Sequence, residues 1–569
     1  MESFPEVVQT PSVAEDPALG LSPRAKLEIL GAVLLGLLLG ALDQTIVGVA
    51  LPRIVTELGG QTLYVWSVTI YLLTSTVTVP FYGKLSDLYG RKPLLIIGIS
   101  IFLLGSALSG LSQDIYQLIF FRGLQGIGAG ALFPISLAVI GDLYSPAERG
   151  KYQGLFGAVF GLSSIVGPLA GGWLTEHLSW HWIFYINMPV GAVALFIIWR
   201  LLPNIRHGGN ARELDYLGGA VFTVAISTLL VGLTNKQTSD WNDPWVGGLI
   251  AIGAILFAIF LFIESRAKQP IVPLDLWRNR TYASSITSTF LISFGFFGAI
   301  IFLPQWFQFV KGVSPTDSGL QSLALLAGLI LSSIVAGQLV ARTGKYKAII
   351  IGGLAIMALG LFLMSGIQAN TDLPVLWVWM FITGVGIGPT LSVFTIVVQN
   401  AVPFNKLGVA TSNLTFFRQI GGSIGLALLG TAFGQRLTAE LPNQLVAAGV
   451  PAQFAGQFTG AGGNSESLIQ VGTDLGTSIL AKVPAQFHDV VAPLIPNIVH
   501  GIYQAYSIAV GSVYQIGMFT TIAALVVAFA MKELPLRTAQ GHGPSAARDP
   551  RTQAQAPAGA MSSTVPTPD

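Results

Sequence analysis

The chain has 569 residues, 52% of them hydrophobic and only 10% charged, at a mean hydropathy of +0.67, against roughly 25% charged residues in soluble domains. That balance excludes a water-soluble globule, and a formal net charge of +2 leaves no basic surface with which to hold a nucleic acid. With no cysteine, disulfides, thiolate metal ligands and cysteine nucleophiles are removed together, and no enzyme activity, metal or cofactor is expected.

Residues 1–26 read as an acidic, proline-containing cytoplasmic tail. They lack the basic start and short apolar run of a cleaved signal peptide, so insertion must rest on the first span. About fourteen windows then reach the roughly 20 apolar residues of a spanning helix. They begin near residues 27, 63, 93, 115, 152 and 183, then 215 and 245, then 283, 318, 348, 374, 407 and 505. The expected fold class is an all-α polytopic membrane protein. Arg24, Lys84, Arg91, Lys92, Arg149, Arg206, Arg212, Arg342 and Lys345 fall in loops on one side, whereas Arg53, Lys236, Lys311, Arg436 and Lys482 fall on the other. The positive-inside rule therefore places both termini in the cytoplasm and requires an even number of spans, which twelve and fourteen both satisfy.

An internal repeat decides between them. The run from Gly83 to Arg91 returns, degraded, from Gly337 to Lys345; Gly126, Gly128 and Gly130 return as Gly384, Gly386 and Gly388; and Pro146–Arg149 returns as Pro403–Lys406, each displaced by about 254 to 258 residues. Such a displacement marks two parallel half-domains. They are expected at 27–203 and 283–534, with a pair of linker spans and cytoplasmic loops in 204–282. A long outer loop over about 434–504, rich in Gly, Ala, Gln and Pro, can carry a helical hairpin. The tail 535–569 has a composition that cannot bury a core and is expected to be disordered.

Asp43 stands in an almost uninterrupted apolar run of the first span. An ionised carboxylate at that depth costs on the order of 3 kcal/mol or more unless it faces a cavity or a partner, so it reads as the proton- or cation-coupling group; a purely structural hydrogen bond to a neighbouring helix is the bland alternative. Arg122 in the fourth span is the second buried charge. Its guanidinium cannot carry the proton but can act on a carboxylate or a water chain. It is a candidate on a neighbouring helix rather than a direct partner. The glycines that follow it lack the preceding strand of a nucleotide loop and read as close helix packing.

Between the second and third spans, Asp87, Arg91 and Lys92 lie in a tight turn that Gly90 permits. The spacing suggests that Asp87 caps a helix of the other half and that Arg91 pairs with Asp142, together with Gly83 a latch on the cytoplasmic side. In the fifth span Gly154, Ser163, Gly167, Pro168, Gly171 and Gly172 form a small-residue seam with a proline inside a spanning helix. The second half buries no carboxylate, the places of Asp43 and Arg122 falling near Ala299 and Met380. It offers Gln305, Trp306, Asn400, Asn413, Phe417 and Arg418, a mixture suited to an aromatic cavity with sparse polar handles.

Together these elements resemble the signatures of the major facilitator superfamily. GKLSDLYGRK resembles its loop motif between helices 2 and 3, RGLQGIGAG its helix 4 motif, and Gly167 to Gly172 its antiporter motif. The strings LDQTIVGVALP, WHWIFYINMPVG, LDYLGG and FFRQIGGSIG are similar to the fourteen-helix drug:proton antiporter family. The resemblance covers nearly everything from Leu27 to Leu534. It implies that Asp43 is an essential membrane acid, Arg122 a proton-relay residue, and Gly83, Asp87, Gly90 and Arg91 the conformational latch. Gly48 stands where the family usually has Asn, and Ser163 where the antiporter motif usually has Gly.

The expected function is proton-coupled export of hydrophobic or cationic small molecules by alternating access in the cell membrane, by a monomer. The alternatives are export of lipids or glycolipids, the outer loop handing cargo to an extracytoplasmic carrier protein, and a sensor or scaffold that moves nothing. No G-x-x-x-x-G-K-[ST] string occurs, so ATP is not expected to drive it directly.

Overall fold

A computed structural model describes residues 21–58, 63–205, 215–236, 239–451, 475–482 and 488–536. The expected N-terminal tail up to residue 20, the middle of the outer loop and the C-terminal tail from residue 537 lie outside the described residues.

The first group of helices is α1 (Pro23–Leu58), α2 (Tyr64–Tyr89), α3 (Arg91–Ser109), α4 (Ile115–Leu143) and α5 (Pro146–His177), followed by α6 (Trp182–Tyr185) and α7 (Asn187–Leu201). The window near residue 183, expected as one helix, is interrupted at Ile186 between α6 and α7. Next come α8 (Tyr216–Asn235) and α9 (Leu249–Glu264), the latter entered through a wide π turn at Pro244–Gly248. The last group is α10 (Arg280–Val310), α11 (Pro315–Gln321), α12 (Leu323–Thr343), α13 (Lys347–Ser365), α14 (Leu373–Ala401), α15 (Leu407–Ala447) and α16 (Ile495–Phe529).

Local chemistry sets many of these ends. Asp114, Asp215, Asn279 and Ser314 each accept a backbone N–H of the helix they precede, and Ser145 with Glu148 forms a capping box at α5. The turn between α2 and α3 runs through Gly90 at φ 103°, and α12 ends on Gly344 at φ 68°. Both are conformations that a side chain disfavours, and the two glycines hold corresponding places in the repeat.

Among the described residues, twelve helical segments are long and apolar enough to cross a membrane. Outside those twelve, α2 and α15 have spanning length, at 26 and 41 residues, but are more polar. The hydroxyls that lower the hydropathy of α2 are used for packing: Thr74 donates to the Gly123 carbonyl of α4 at 2.9 Å and to its own helix. A Ser or Thr that ties two helices reads as polar in a hydropathy window yet costs little inside a bundle.

The repeated glycines mark equivalent packing. On α4, Gly126 and Gly130 press against Tyr71, Thr74 and Ser75 of α2, and Gly128 against Gly98 and Phe102 of α3. On α14, Gly384 and Gly388 press against Leu325, Leu329 and Ser332 of α12, and Gly386 against Met357 of α13. One hydrophobic core draws only on residues from 276 to 531, and two others only on residues from 29 to 202. A fourth joins α2, α8, α9 and α15 through Val77, Phe222, Phe260 and Phe416, so α8 and α9 lie over the line where α2 meets α15. Only 17% of the apolar window of α9 is buried, which leaves its outer faces for lipid.

Both ends of the segment 434–504, expected as a long outer loop, are helical: α15 runs on through Ala447 and α16 already begins at Ile495. Leu437, Leu441 and Leu445 recur every four residues, are buried, and join the same core as Ile498 and Ile502, while Arg436 and Glu440 pair at 3.0 Å beside them. This amphipathic continuation falls below the hydropathy of a span but keeps the helical period.

Candidate functional site

Asp43, midway along α1, is fully buried. Its Oδ2 accepts from Arg122 Nη1 of α4 at 2.5 Å, and its Oδ1 accepts from Gln125 Nε2 at 2.7 Å and from Asn187 Nδ2 at 3.2 Å. Arg122 also donates to Gln125 Oε1 at 2.9 Å and lies 4.3 Å over the Tyr71 ring of α2. Asn187, the first residue of α7, also reaches Ser106 of α3 at 3.0 Å. Donors of α4 and α7 therefore converge on one carboxylate of α1, with Tyr71 of α2 behind Arg122 and Ser106 of α3 behind Asn187. Arg122 is a direct partner of Asp43, where the sequence placed it only on a neighbouring helix. A one-residue step separates the faces of Arg122 and Gly123, so the guanidinium turns to α1 while the glycine packs on Ile70 of α2.

Gln125 and Asn187 were missed by sequence reasoning. Neither is charged, and both sit inside strings read for other features. A signal existed for Gln125, which lies three residues after Arg122 and thus on the same helix face.

The small-residue seam of α5 faces α1 just beyond the acid. A Cβ on Gly167 would meet Thr45 Oγ1 at 2.1 Å, and one on Gly171 would meet the Ile46 carbonyl at 3.0 Å. Thr45 donates to the carbonyl of Ser163 at 2.9 Å. Further along, Gly154 packs on Ile334 of α12, Pro168 lies near Gly319 of α11, and Gly172 is nearly open. Gly48 has no heavy atom within 4 Å of a would-be Cβ, so a larger side chain has space there.

At the end of the bundle where α1 starts and α16 ends, polar contacts tie the two groups of helices. Asp87 of α2 accepts from the backbone N–H of Gly408 at 3.0 Å and of Val409 at 2.9 Å, capping the first turn of α15. Arg91 donates to Asp87 at 2.6 Å and to Asp142 of α4 at 2.8 Å, and is itself fully buried. Gly83 leaves room for this approach, since a Cβ there would meet Ser412 Cβ at 2.4 Å. Nearby, Gln399 of α14 accepts from Gln153 of α5 and donates to the Leu137 carbonyl of α4, each at 3.0 Å.

The residues expected to line an aromatic cavity do not converge. Gln305 is exposed near the far end of α10, and Trp306 is buried there, donating to Ser507 Oγ at 2.9 Å. Asn400 lies at the opposite end, donating to the Pro535 carbonyl at 3.2 Å. Asn413 donates to Tyr282 Oη at 3.0 Å, Phe417 sets its ring edge-on to Trp277, and Arg418 borders a small cleft with Thr289 and Thr390. An aromatic or amide residue in an apolar helix does not disclose which way it points, so composition could not resolve this.

Comparison with known proteins places these features in a family. The model of the Major Facilitator Superfamily matches residues 33–426. The chain is 37% identical over 499 residues to "Multidrug transporter protein MdtP" of Bacillus subtilis, covering 85% of this chain and 92% of that protein. It is 35% identical over 457 residues to "Multidrug resistance protein 3" of the same organism, covering 79% and 87%. Among solved structures, the human organic anion transporter MFSD10 is similar in fold, with a TM-score of 0.54 at 18% identity, over 73% of this chain and 94% of that one. The chain is a multi-pass membrane protein and belongs to the Major Facilitator Superfamily of transporters.

Proposed function

We propose that this chain exports hydrophobic or cationic small molecules across the cell membrane in exchange for protons, by alternating access. The observation that carries this reading is Asp43, buried without exposure and held by Arg122, Gln125 and Asn187. The names of the two Bacillus relatives, a multidrug transporter and a multidrug resistance protein, support drug-like small molecules as the cargo.

In this reading the deprotonated cluster is neutral, carboxylate against guanidinium. Protonation of Asp43 removes the negative member, leaves Arg122 without its counter-ion, and weakens every hydrogen bond that the carboxylate accepts. The cost of an unpaired buried charge then favours whichever arrangement of helices relieves it. Because α5 grips α1 at Thr45 and Ile46, beside Asp43, a change at the acid reaches the helix that crosses to α12. Asp87, Arg91, Asp142 and Gly83 act as the latch at the terminal-bearing end, made in the state seen here and released in the other.

The architecture of this reading has fourteen spans, with α2 and α15 completing the twelve apolar ones. The half-domains are 27–203 and 283–534, the linker pair is α8 with α9, both termini are cytoplasmic, and the working unit is a monomer. Proteoliposomes with an imposed pH gradient test the function. Tetraphenylphosphonium should accumulate against its own gradient and stop when a protonophore is added. Movement of this cation that ignores gradients of either sign would overturn proton coupling.

A further inference from the structure

Two carboxyls meet at the terminal-bearing end of α8 and α9, away from the site around Asp43. Glu264, the last residue of α9, is only 2% exposed, and Asp215, the N-cap of α8, stands within hydrogen-bond reach of it. One oxygen of each is used: Asp215 Oδ1 accepts the N–H of Gly218 at 2.7 Å, and Glu264 Oε1 accepts that of Val272 at 2.5 Å. The other two, Asp215 Oδ2 and Glu264 Oε2, are buried and receive no donor. Two acceptors cannot bond each other, and two ionised carboxylates in contact repel. One proton between them makes a donor of one and an acceptor of the other, and removes the repulsion.

Among the described residues no ion pair reaches either acid. Lys84 of α2 is near enough to feel Glu264, but it also faces Asp87, Asp275 and Lys406, and its ammonium donates to Gln269 Oε1 at 2.8 Å. Asp275 is held by Lys406, and Arg266 turns over the Phe262 ring at 4.3 Å. From α15 it is Phe416 that meets α8, on Phe222.

Glu264 also pins the chain that follows α9. Through Val272 it holds the segment 264–272 folded back, so that Ile271 and Val272 enter the core shared by α2, α8, α9 and α15. Farther along the same stretch, Gln269 receives Lys84 of α2 and Asp275 receives Lys406, which directly precedes α15. These are the two helices that Asp87 joins at Gly408.

We propose that Asp215 and Glu264 bind one shared proton, a second proton site apart from Asp43, and that this proton clamps the segment 264–279 beside the latch. Asp215 is half-buried at the start of its helix, so the proton exchanges with water on the terminal-bearing side. Its loss sets two carboxylates against each other, loosens Glu264 from Val272 and releases the segment. The inference needs neither the cargo nor the role given to Asp43.

Glu264→Gln sets an amide donor opposite Asp215 Oδ2 and keeps an oxygen for Val272, so it copies the protonated pair. Asp215→Asn does the same from the other side and keeps an oxygen for Gly218. The chain has no cysteine, so Val272→Cys, at 5% exposure, reports whether the segment lifts. Maleimide labelling of the full-length protein is followed against pH, each rate divided by that of free cysteine at the same pH. With both acids present the ratio should rise with pH by up to about tenfold per pH unit, the limit for one linked proton. In either amide variant it should stay low and flat, which also shows that the variant is folded. A flat ratio with both acids present, or the same rise in the amide variants, would overturn the proposal, as would fast labelling of an amide variant at every pH. Infrared difference spectra over the same range identify the group: wild type should lose more of the C=O band of a protonated carboxylic acid than Glu264→Gln does, and an equal loss would overturn the shared proton. If wild type shows no such band, and sodium in place of N-methylglucamine raises its thermal midpoint but not that of Glu264→Gln, the pair holds a metal cation and the proton site is overturned.

Discussion

Where Arg122 of α4 reaches Asp43 of α1, the matching places in α14 and α10 hold Met380 and Ala299, both fully buried. The surrounding helices are nevertheless packed alike, the glycines of α14 seating against α12 and α13 as those of α4 seat against α2 and α3. Packing geometry and charge have thus been separated within one chain. Close contact between helices needs only small residues at fixed spacing, and both groups keep them. A buried acid needs a cage of donors, and only the first group supplies Arg122, Gln125 and Asn187 together. The second group carries at Arg418 a half-buried guanidinium that has no ion pair among the described residues.

The largest effects should come from breaking the neutrality of the first site. Arg122→Met leaves Asp43 buried with amide donors only, and should destabilise the protein by about 3–5 kcal/mol if the acid stays ionised. The double variant Asp43→Leu with Arg122→Met should recover most of that loss, since an apolar pair of similar volume often replaces a buried ion pair at little cost, yet remain inactive. Thermal unfolding in detergent and dye efflux in proteoliposomes read the two effects separately. Recovered transport in the double variant would show that the cluster serves only structure.

Copying the acid into the second group is the next test. Ala299→Asp should destabilise by about 3 kcal/mol or more, because Ala299 lies fully buried in an apolar core. Adding Met380→Arg should restore part of the loss in the same unfolding measurement. An Ala299→Asp variant as stable as wild type would mean that water or a hidden partner reaches the position, and the contrast between the two groups would collapse.

The latch gives smaller effects. Gly83→Ala places a methyl against Ser412 Cβ and should favour opening at that end, while Ser412→Gly should partly reverse it. The chain has no cysteine, so a single Thr415→Cys, buried at 5% exposure, serves as reporter. Its maleimide labelling should speed up about tenfold in Gly83→Ala for a shift of about 1.4 kcal/mol, and unchanged labelling would detach Gly83 from closure. Asp87→Asn keeps an acceptor for the Gly408 and Val409 amides but gives up the charge. It should cost about 1 kcal/mol through the lost helix-terminus interaction and more through the broken buried pair with Arg91, which keeps Asp142 as its remaining counter-ion, read as a fall in the thermal midpoint.

Much of this was written in local sequence. Gly90 and Gly344 mark turns that need positive φ, and the repeated glycine triplets mark the contacts of α4 and α14. The approach of Asp87 to the start of α15, and of Arg91 to Asp142, follows from charges placed beside helix ends. Hydropathy alone drew attention to Asp43 and Arg122, but not to the bond between them, since nothing in one helix states the rotation of its neighbour. Gln125 and Asn187 stayed hidden because an uncharged amide in a membrane helix raises no alarm until its partner is known. The dispersal of Gln305, Trp306, Asn400 and Asn413 has the same origin. Composition named them, and only the direction of each side chain could sort them.

The central claim is that Asp43 is the coupling acid, and Asp43→Asn tests it most directly because it removes the titratable proton at nearly constant volume. Wild-type and variant protein, reconstituted at equal amounts and shown to be folded by thermal unfolding, are compared for tetraphenylphosphonium transport under an imposed pH gradient. The account predicts that wild type concentrates the cation and that Asp43→Asn does not respond to the gradient. Uphill transport by Asp43→Asn at the wild-type rate would contradict it.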